Sequence, residues 1–315
     1  MSITVVGSIA FDSVTTPFGE RDRMLGGAAT HFALAASMFE TVHLVGPVGD
    51  DFGERELSTL RTRGSNIDDV ERISGGKTFF WKGHYHDDLN IRDTLDTQLN
   101  VFEHFHPKLS EASRNSEVLF LANIQPGLQL QVREQCEGAR FVALDSMNLW
   151  IDIARDELVE IIKRVDCLIL NDEELRQLTG KPNLVSAARE ILGWGPSVIV
   201  AKQGEYGAAL ITSDDFFSLP AYPLEQVVDP TGAGDTFAGG FVGMIATQLG
   251  DGNGQPLSIN VLSNAMAYGT AAASFNVERF GTEGLEAVDG AAVRKRVGDL
   301  WRLTRFEPLD VDLIS

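Results

Sequence analysis

The stretch Val227–Phe241 reads VVDPTGAGDTFAGGF. Asp229-Pro230-Thr231 makes a turn, because proline presets its own φ and aspartate bonds readily to nearby backbone. Gly232-Ala233-Gly234 then enters a helix whose apolar residues continue as Phe237, Ala238, Phe241 and Ile245. Glycines at a helix start let a phosphate approach the free N–H groups, and the helix dipole favours its charge. Asp235 falls in that first turn. An acid there either steadies the dipole or acts on whatever the glycines hold.

Working outward, short apolar runs alternate with helical ones. ITVV (3–6), VHLVG (42–46), VLFLA (118–122), FVAL (141–144), CLIL (167–170) and VIVA (198–201) have the length and composition of buried strands. Helical stretches are predicted after the glycines at 26–37 and over 52–63, 127–136, 155–165, 172–179, 184–192, 233–248 and 259–276, with a hairpin over 208–219. This rhythm predicts an α/β layer with a mostly parallel sheet. Residues 75–99 break it. Phe79, Trp81 and Tyr85 alternate with Thr78, Lys82, His84 and His86, and Ile91, Leu95 and Leu99 alternate with polar neighbours. A period of two predicts half-exposed antiparallel strands, joined by a turn at HDDLN. With residues 14–25 they form a small lid on a larger body, all within a single domain over 1–315.

The 315 residues are 43% hydrophobic, enough for a large core, and Asp plus Glu outnumber Lys plus Arg by 45 to 26. The resulting charge of −19 repels phosphate backbones and anionic lipid. No nucleic acid and no membrane are therefore expected as partners, and an anionic cofactor needs a local device: a metal ion or a ring of backbone N–H groups. The two cysteines, Cys136 and Cys167, make neither a disulfide framework nor a zinc spacing. With no basic leader and no apolar run near ~20 residues, a cytoplasmic protein is expected. There is no Gly-x-Ser-x-Gly elbow, His-Glu-x-x-His pair or Gly-x-x-x-x-Gly-Lys-Ser/Thr loop. His84 and His86 lack an evident third metal ligand.

The stretch at 227–241 resembles the C-terminal signature of the PfkB, or ribokinase-like, carbohydrate kinase family, Asp-x-x-Gly-Ala-Gly-Asp before a helix of small and aromatic residues. Asp229, Gly232, Ala233, Gly234 and Asp235 supply it intact. Gly7-Ser8-Ile9 with Asp12, the pair Gly26-Gly27, Gly46 to Gly53, Asn171 to Glu174, Lys202 to Gly207 and Ser274 to Gly281 resemble further family elements. The resemblance implies a three-layer α/β/α sandwich with a small β-sheet lid, and transfer of the γ-phosphate of ATP to a hydroxyl of a sugar or sugar-like molecule.

In that reading Asp235 is the general base, and the N–H groups of Gly232, Ala233 and Gly234 stabilise the transferred group. Asp12, Gly26, Gly27 and His31 face the substrate. Asn171, Glu174, Lys202, Gly204, Gly207 and Ser274 serve the nucleotide, with Glu174 reaching Mg2+ through water and Asp229 a candidate K+ site. Bland alternatives stand beside these: Asn171 as a helix cap, Gly204 and Gly207 as hairpin shapers, Lys202 as a solvated charge, His31 as a packed core residue. The lid covers the substrate or pairs with a second copy in a homodimer. Where ribokinase has hydrogen-bonding side chains, this sequence has Ala10, Ala28 and His31. Those departures argue against free ribose and favour a larger sugar or sugar acid, then a nucleoside of the adenosine-kinase type. A catalytically silent metabolite-binding regulator is a third reading.

Overall fold

The computed structural model describes residues 1–249 and 257–307, so the domain expected over 1–315 runs past them at its C-terminal end. The first strand, Ser2–Val6, sits between Thr41–Val48 on one side and Val118–Leu121 on the other, parallel to both. Phe141–Asp145, Cys167–Asn171 and Val198–Lys202 extend the sheet in parallel order. The hairpin Ala208–Ile211 and Phe216–Leu219 closes that edge antiparallel. The inner strands are buried on both faces because helices cover both, which is why they read as continuous apolar runs rather than alternating ones. Two cores result. One is built on Phe32, Phe120, Phe241 and Met266, the other on Leu119, Leu144, Ile161 and Leu170. This is the expected α/β/α sandwich.

The expected helices fall at Ala28–Ala36, Glu54–Thr62, Pro126–Gln135, Arg155–Ile162, Asp172–Thr179, Leu184–Leu192, Ala233–Leu249 and Ile259–Asn276. A further helix, Gly290–Thr304, lies outside the sequence expectation. Its signals are an Asp289 cap and the buried Val293 and Leu300, two turns apart on one helical face.

The lid is a separate four-stranded sheet, in the order Gly19–Gly26, Ala10–Thr16, Phe79–Tyr85, Arg92–Gln98. Phe79–Tyr85 and Arg92–Gln98 pair antiparallel, as expected of two strands joined by a turn, while the central pairing of Ala10–Thr16 with Phe79–Tyr85 is parallel. Alternation reports which face is covered and carries no information on direction. The lid also reaches further into the chain than residues 14–25, since Asp12 stands on one of its strands.

The long helix Ala233–Leu249 is nearly all small or apolar, and three glycines explain how it packs. A β-carbon on Gly239 would strike the backbone of Phe32, one on Gly243 the ring of Phe39, and one on Gly240 would come within 2.9 Å of both Gly269 Cα and the Tyr268 carbonyl. The helix is thus wedged between two others at backbone distance, which fixes where its N-terminus points. Gly240→Val should destabilise the fold by roughly 1–3 kcal/mol through overpacking. Urea denaturation checks this, and an unchanged midpoint would mean that the crossing has slack.

Candidate active site

Most expected site residues stand at strand ends or helix starts, the exceptions being Asp12 within a lid strand, His31 within the helix Ala28–Ala36 and Ser274 in the last turn of Ile259–Asn276. Asp12 comes from the lid strand Ala10–Thr16 and is 6% exposed. Its carboxylate occupies the space where a Gly26 side chain would begin and accepts from the Gly27 N–H, with Gly27 at a positive φ of 97°. Gly26 is therefore required by the carboxylate, and Gly27 by its positive φ and the Ser8 carbonyl against it. Burial, then the charges of Asp229 and Asp235, push Asp12 up to about 7.

Asp229 is fully buried. One carboxylate oxygen accepts from Thr231 N and the other from Gly281 N, each at 2.9 Å. It ties the turn before the signature helix to the loop after Ile259–Asn276. Gly232 sits at φ +71°, and Asp235 lies in the first turn of the helix. Burial and the neighbouring Asp145 raise Asp235 to about 7, against the pull of Lys202 and Arg92.

Asn171 caps the helix Asp172–Thr179. Its side-chain oxygen accepts from Glu174 N at 2.7 Å, while Glu174 reaches back to Asn171 N at 2.8 Å. The bland reading of Asn171 as a cap is thus satisfied, and the capping box holds Glu174 at the site edge. Burial lifts Glu174 to about 7, with Lys202 opposing and Asp145 assisting. Lys202 is ion-paired with Asp145 at 2.9 Å, and a β-carbon on Gly234 would stand 3.2 Å from its amine. Burial acts to lower the lysine, and Asp145, Glu174 and Asp235 more than offset it.

A cavity of about 740 Å3 opens beside this cluster, lined by Lys202, Gly204, Gly207, Gly234, Ser274 and Val277 among others. Of the expected nucleotide residues, Asn171 and Glu174 stand off its wall and the other four on it. Ser274 is held by Arg296, which donates to its hydroxyl at 2.8 Å. The lid turn closes over the cavity, where Asn90 bonds to Glu205 at 3.3 Å. His31 lies elsewhere, behind the glycine turn and 1% exposed.

Two charged groups of the site escaped the sequence reading. Asp145 ends the strand Phe141–Asp145, and nothing in FVALD separates it from a strand-terminal acid. Arg92 lies on the outer lid strand. The lid register slips by one residue between Lys82 and Gly83, so that Trp81 pairs with Thr97 but Tyr85 with Arg92. Register partners share a face, so this bulge at Leu95 brings Arg92 to the side of Trp81 and Tyr85. From there its charge reaches Tyr85, Glu174 and Asp235. Tyr85 marks that side as inward, since Thr231 bonds to its hydroxyl at 3.2 Å.

Among the described residues no group of three or more His, Cys, Asp or Glu could hold a metal ion by itself. The cluster does carry surplus negative charge: Asp145, Glu174 and Asp235 face one lysine and one arginine. Such a set suits a cation that arrives with its own phosphate ligands.

The pfkB family carbohydrate kinase model matches residues 3–287. The chain belongs to that family. Cytidine kinase of Thermococcus kodakarensis is 32% identical to it, over 82% of this chain and 91% of that protein. Ribokinase of Lactococcus lactis is 26% identical over 90% and 92%. The solved structure of Methanocaldococcus jannaschii nucleoside kinase superposes with a TM-score of 0.75 at 22% identity, covering 95% of this chain and 98% of that one. As a kinase of this family, the chain has its signature acid and glycines gathered at one helix N-terminus.

Three of the kinase's buried acids, Asp12, Glu174 and Asp235, hold protons in the folded state that the unfolded chain releases nearer pH 4. Stability from these groups is therefore present at low pH and lost as pH rises through about 7. His31, lowered to about 4, works in the opposite sense only below its unfolded value of 6.5. The ligand-free protein should thus melt lower at pH 8.0 than at pH 6.5, and Asp235→Asn should flatten the difference. A Tm that rises over that interval would contradict the buried-acid account.

Proposed function

We propose that this kinase transfers the γ-phosphate of ATP to a hydroxyl of a nucleoside, with larger sugars as the alternative acceptors. The observation that carries the acceptor is a register. Asp12 pairs directly with Trp81 across the two central lid strands, so carboxylate and indole share one face. The carboxylate can accept from hydroxyls while the indole offers a plane to a base. The Trp81 ring lies flat across Gly83, where any side chain would collide with it. The sequence departures favoured a larger sugar first; this juxtaposition, with relatives named cytidine kinase and nucleoside kinase, reverses that order.

In the mechanism, Asp12 orients the acceptor and Asp235 takes the proton of the attacking hydroxyl. The N–H groups of Gly232 and Gly234 stabilise charge on the phosphoryl oxygens, aided by the helix dipole, while the Ala233 N–H, also expected there, donates to the Pro230 carbonyl at 3.2 Å. Lys202, beside Gly234, and Arg92, on the lid, add positive charge where the transferred group passes. Mg2+, held to Glu174 through water, would neutralise the ATP phosphates when bound. Lid closure keeps water from competing with the acceptor. The lid's outer strand leaves Ile91, Leu95 and Leu99 about half exposed, which supports a homodimer through this face.

Asp235→Asn should lower kcat by about 10²–10⁴ with KM for both substrates little changed. A variant that keeps more than a tenth of wild-type kcat would remove Asp235 from the role. In a panel of ribose, fructose, 2-keto-3-deoxygluconate, myo-inositol, adenosine and cytidine with Mg·ATP, a nucleoside should give the highest kcat/KM. Ribose or a sugar acid winning by tenfold would overturn the acceptor reading. Trp81→Ala should raise the nucleoside KM and leave the ATP KM alone; the reverse pattern would place the indole on the nucleotide side.

A further inference from the structure

His31 is buried in the helix Ala28–Ala36, on the far side of the glycine turn from solvent. Its Nδ1 is 3.1 Å from Asn276 Oδ1, and Asn276 Nδ2 donates to the Thr231 carbonyl at 2.8 Å. The amide nitrogen faces Thr231, so the amide oxygen faces the imidazole and Nδ1 carries the hydrogen. Nε2 is then a bare acceptor, and it has no partner. The ring itself lies against Gly232, where a β-carbon would collide with Cγ, Cδ2 and Cε1.

The Thr231 carbonyl and the Gly232 N–H belong to one peptide unit. That unit is planar and trans, so holding its C=O toward Asn276 aims its N–H the opposite way. Gly232, at φ +71°, would otherwise leave the peptide free to turn. We infer that the chain His31–Asn276–Thr231 is a positioning device that aims the Gly232 N–H at the transferred phosphoryl group. His31 is a positioning residue and not a ligand of the acceptor. The inference rests on the kinase reading above and adds to it the group that orients its anion cradle.

The test uses His31→Phe, which keeps a ring against Gly232 without a nitrogen, Asn276→Ala, which cuts the tie to Thr231, and the double variant. His31→Asn, which keeps a donor, replaces His31→Phe if that variant misfolds by circular dichroism. Each is assayed with the best acceptor of the wild-type protein, and for inhibition by Mg·ADP alone and by Mg·ADP with aluminium fluoride. The expected result is a fall in kcat of about ten- to a hundredfold, the scale of a misplaced catalytic group. KM values and Mg·ADP inhibition should stay within about threefold, a tolerance far below that kcat effect. Inhibition by the aluminium fluoride complex, which mimics the phosphoryl group in transfer, should weaken in step with kcat. The double variant should be no worse than the poorer single one, because both cut the same chain. Folded variants with wild-type kcat would overturn the inference. So would a raised acceptor KM at unchanged kcat, which would make His31 an acceptor ligand. Wild-type protein with no transfer to any acceptor would instead overturn the kinase reading together with it.

Discussion

The structure depends on gathering acid groups out of water where the signature helix begins. Asp12, Asp145 and Asp229 are all nine-tenths or more buried, with the half-buried Asp235 and Glu174 beside them. Isolated carboxylates in such a place would protonate or draw in water. Each is held by a different means. Asp229 uses both oxygens on backbone N–H groups, Asp145 has Lys202, and Asp12 has the Gly27 N–H. Asp235 has the helix N-terminus and only the more distant pull of Lys202 and Arg92. In the proposed mechanism Asp235 is the one that accepts a proton, and the glycine-tight crossing fixes the helix that carries it.

The same asymmetry explains how this acidic chain accommodates a polyanion. Its surface field opposes ATP, but the site does not rely on that field. In the proposed mechanism, charge on phosphate is met over a few ångströms by oriented N–H groups, Lys202 and Arg92, where low dielectric makes each count for more than it would in water.

The sandwich was legible because buried strands and helices differ in length and period, and because the signature from Asp229 to Asp235 is contiguous. The lid was half legible. Alternation along 79–85 and the HDDLN turn located that strand and its antiparallel partner, yet the parallel pairing with Ala10–Thr16 and the slip at Leu95 arise from contacts between strands that no single strand encodes. Arg92 was lost for that reason: its place on the face of Trp81 depends on one inserted residue. Asp145 was lost for another, since an acid closing a strand looks the same whether it meets a lysine or solvent. Asn171 shows the converse, for its capping role could be read from its spacing to Glu174 and the structure displays it.

His31 illustrates how a substitution at a site position can change the job as well as the strength of the residue. A neutral histidine is bulky and has one hydrogen-bond donor. Burial keeps it neutral, pulling it to about 4. Once Asn276 takes that donor, His31 has none left for an acceptor hydroxyl, and its ring volume is spent on Gly232. In the proposed acceptor site the hydroxyl-binding duty then falls on Asp12, which stands beside an indole. A site with one hydroxyl-binding carboxylate and one aromatic plane has fewer polar groups that an incorrect sugar could leave unpaired. Its selectivity must come more from stacking area and shape, and those favour an acceptor that carries a flat ring.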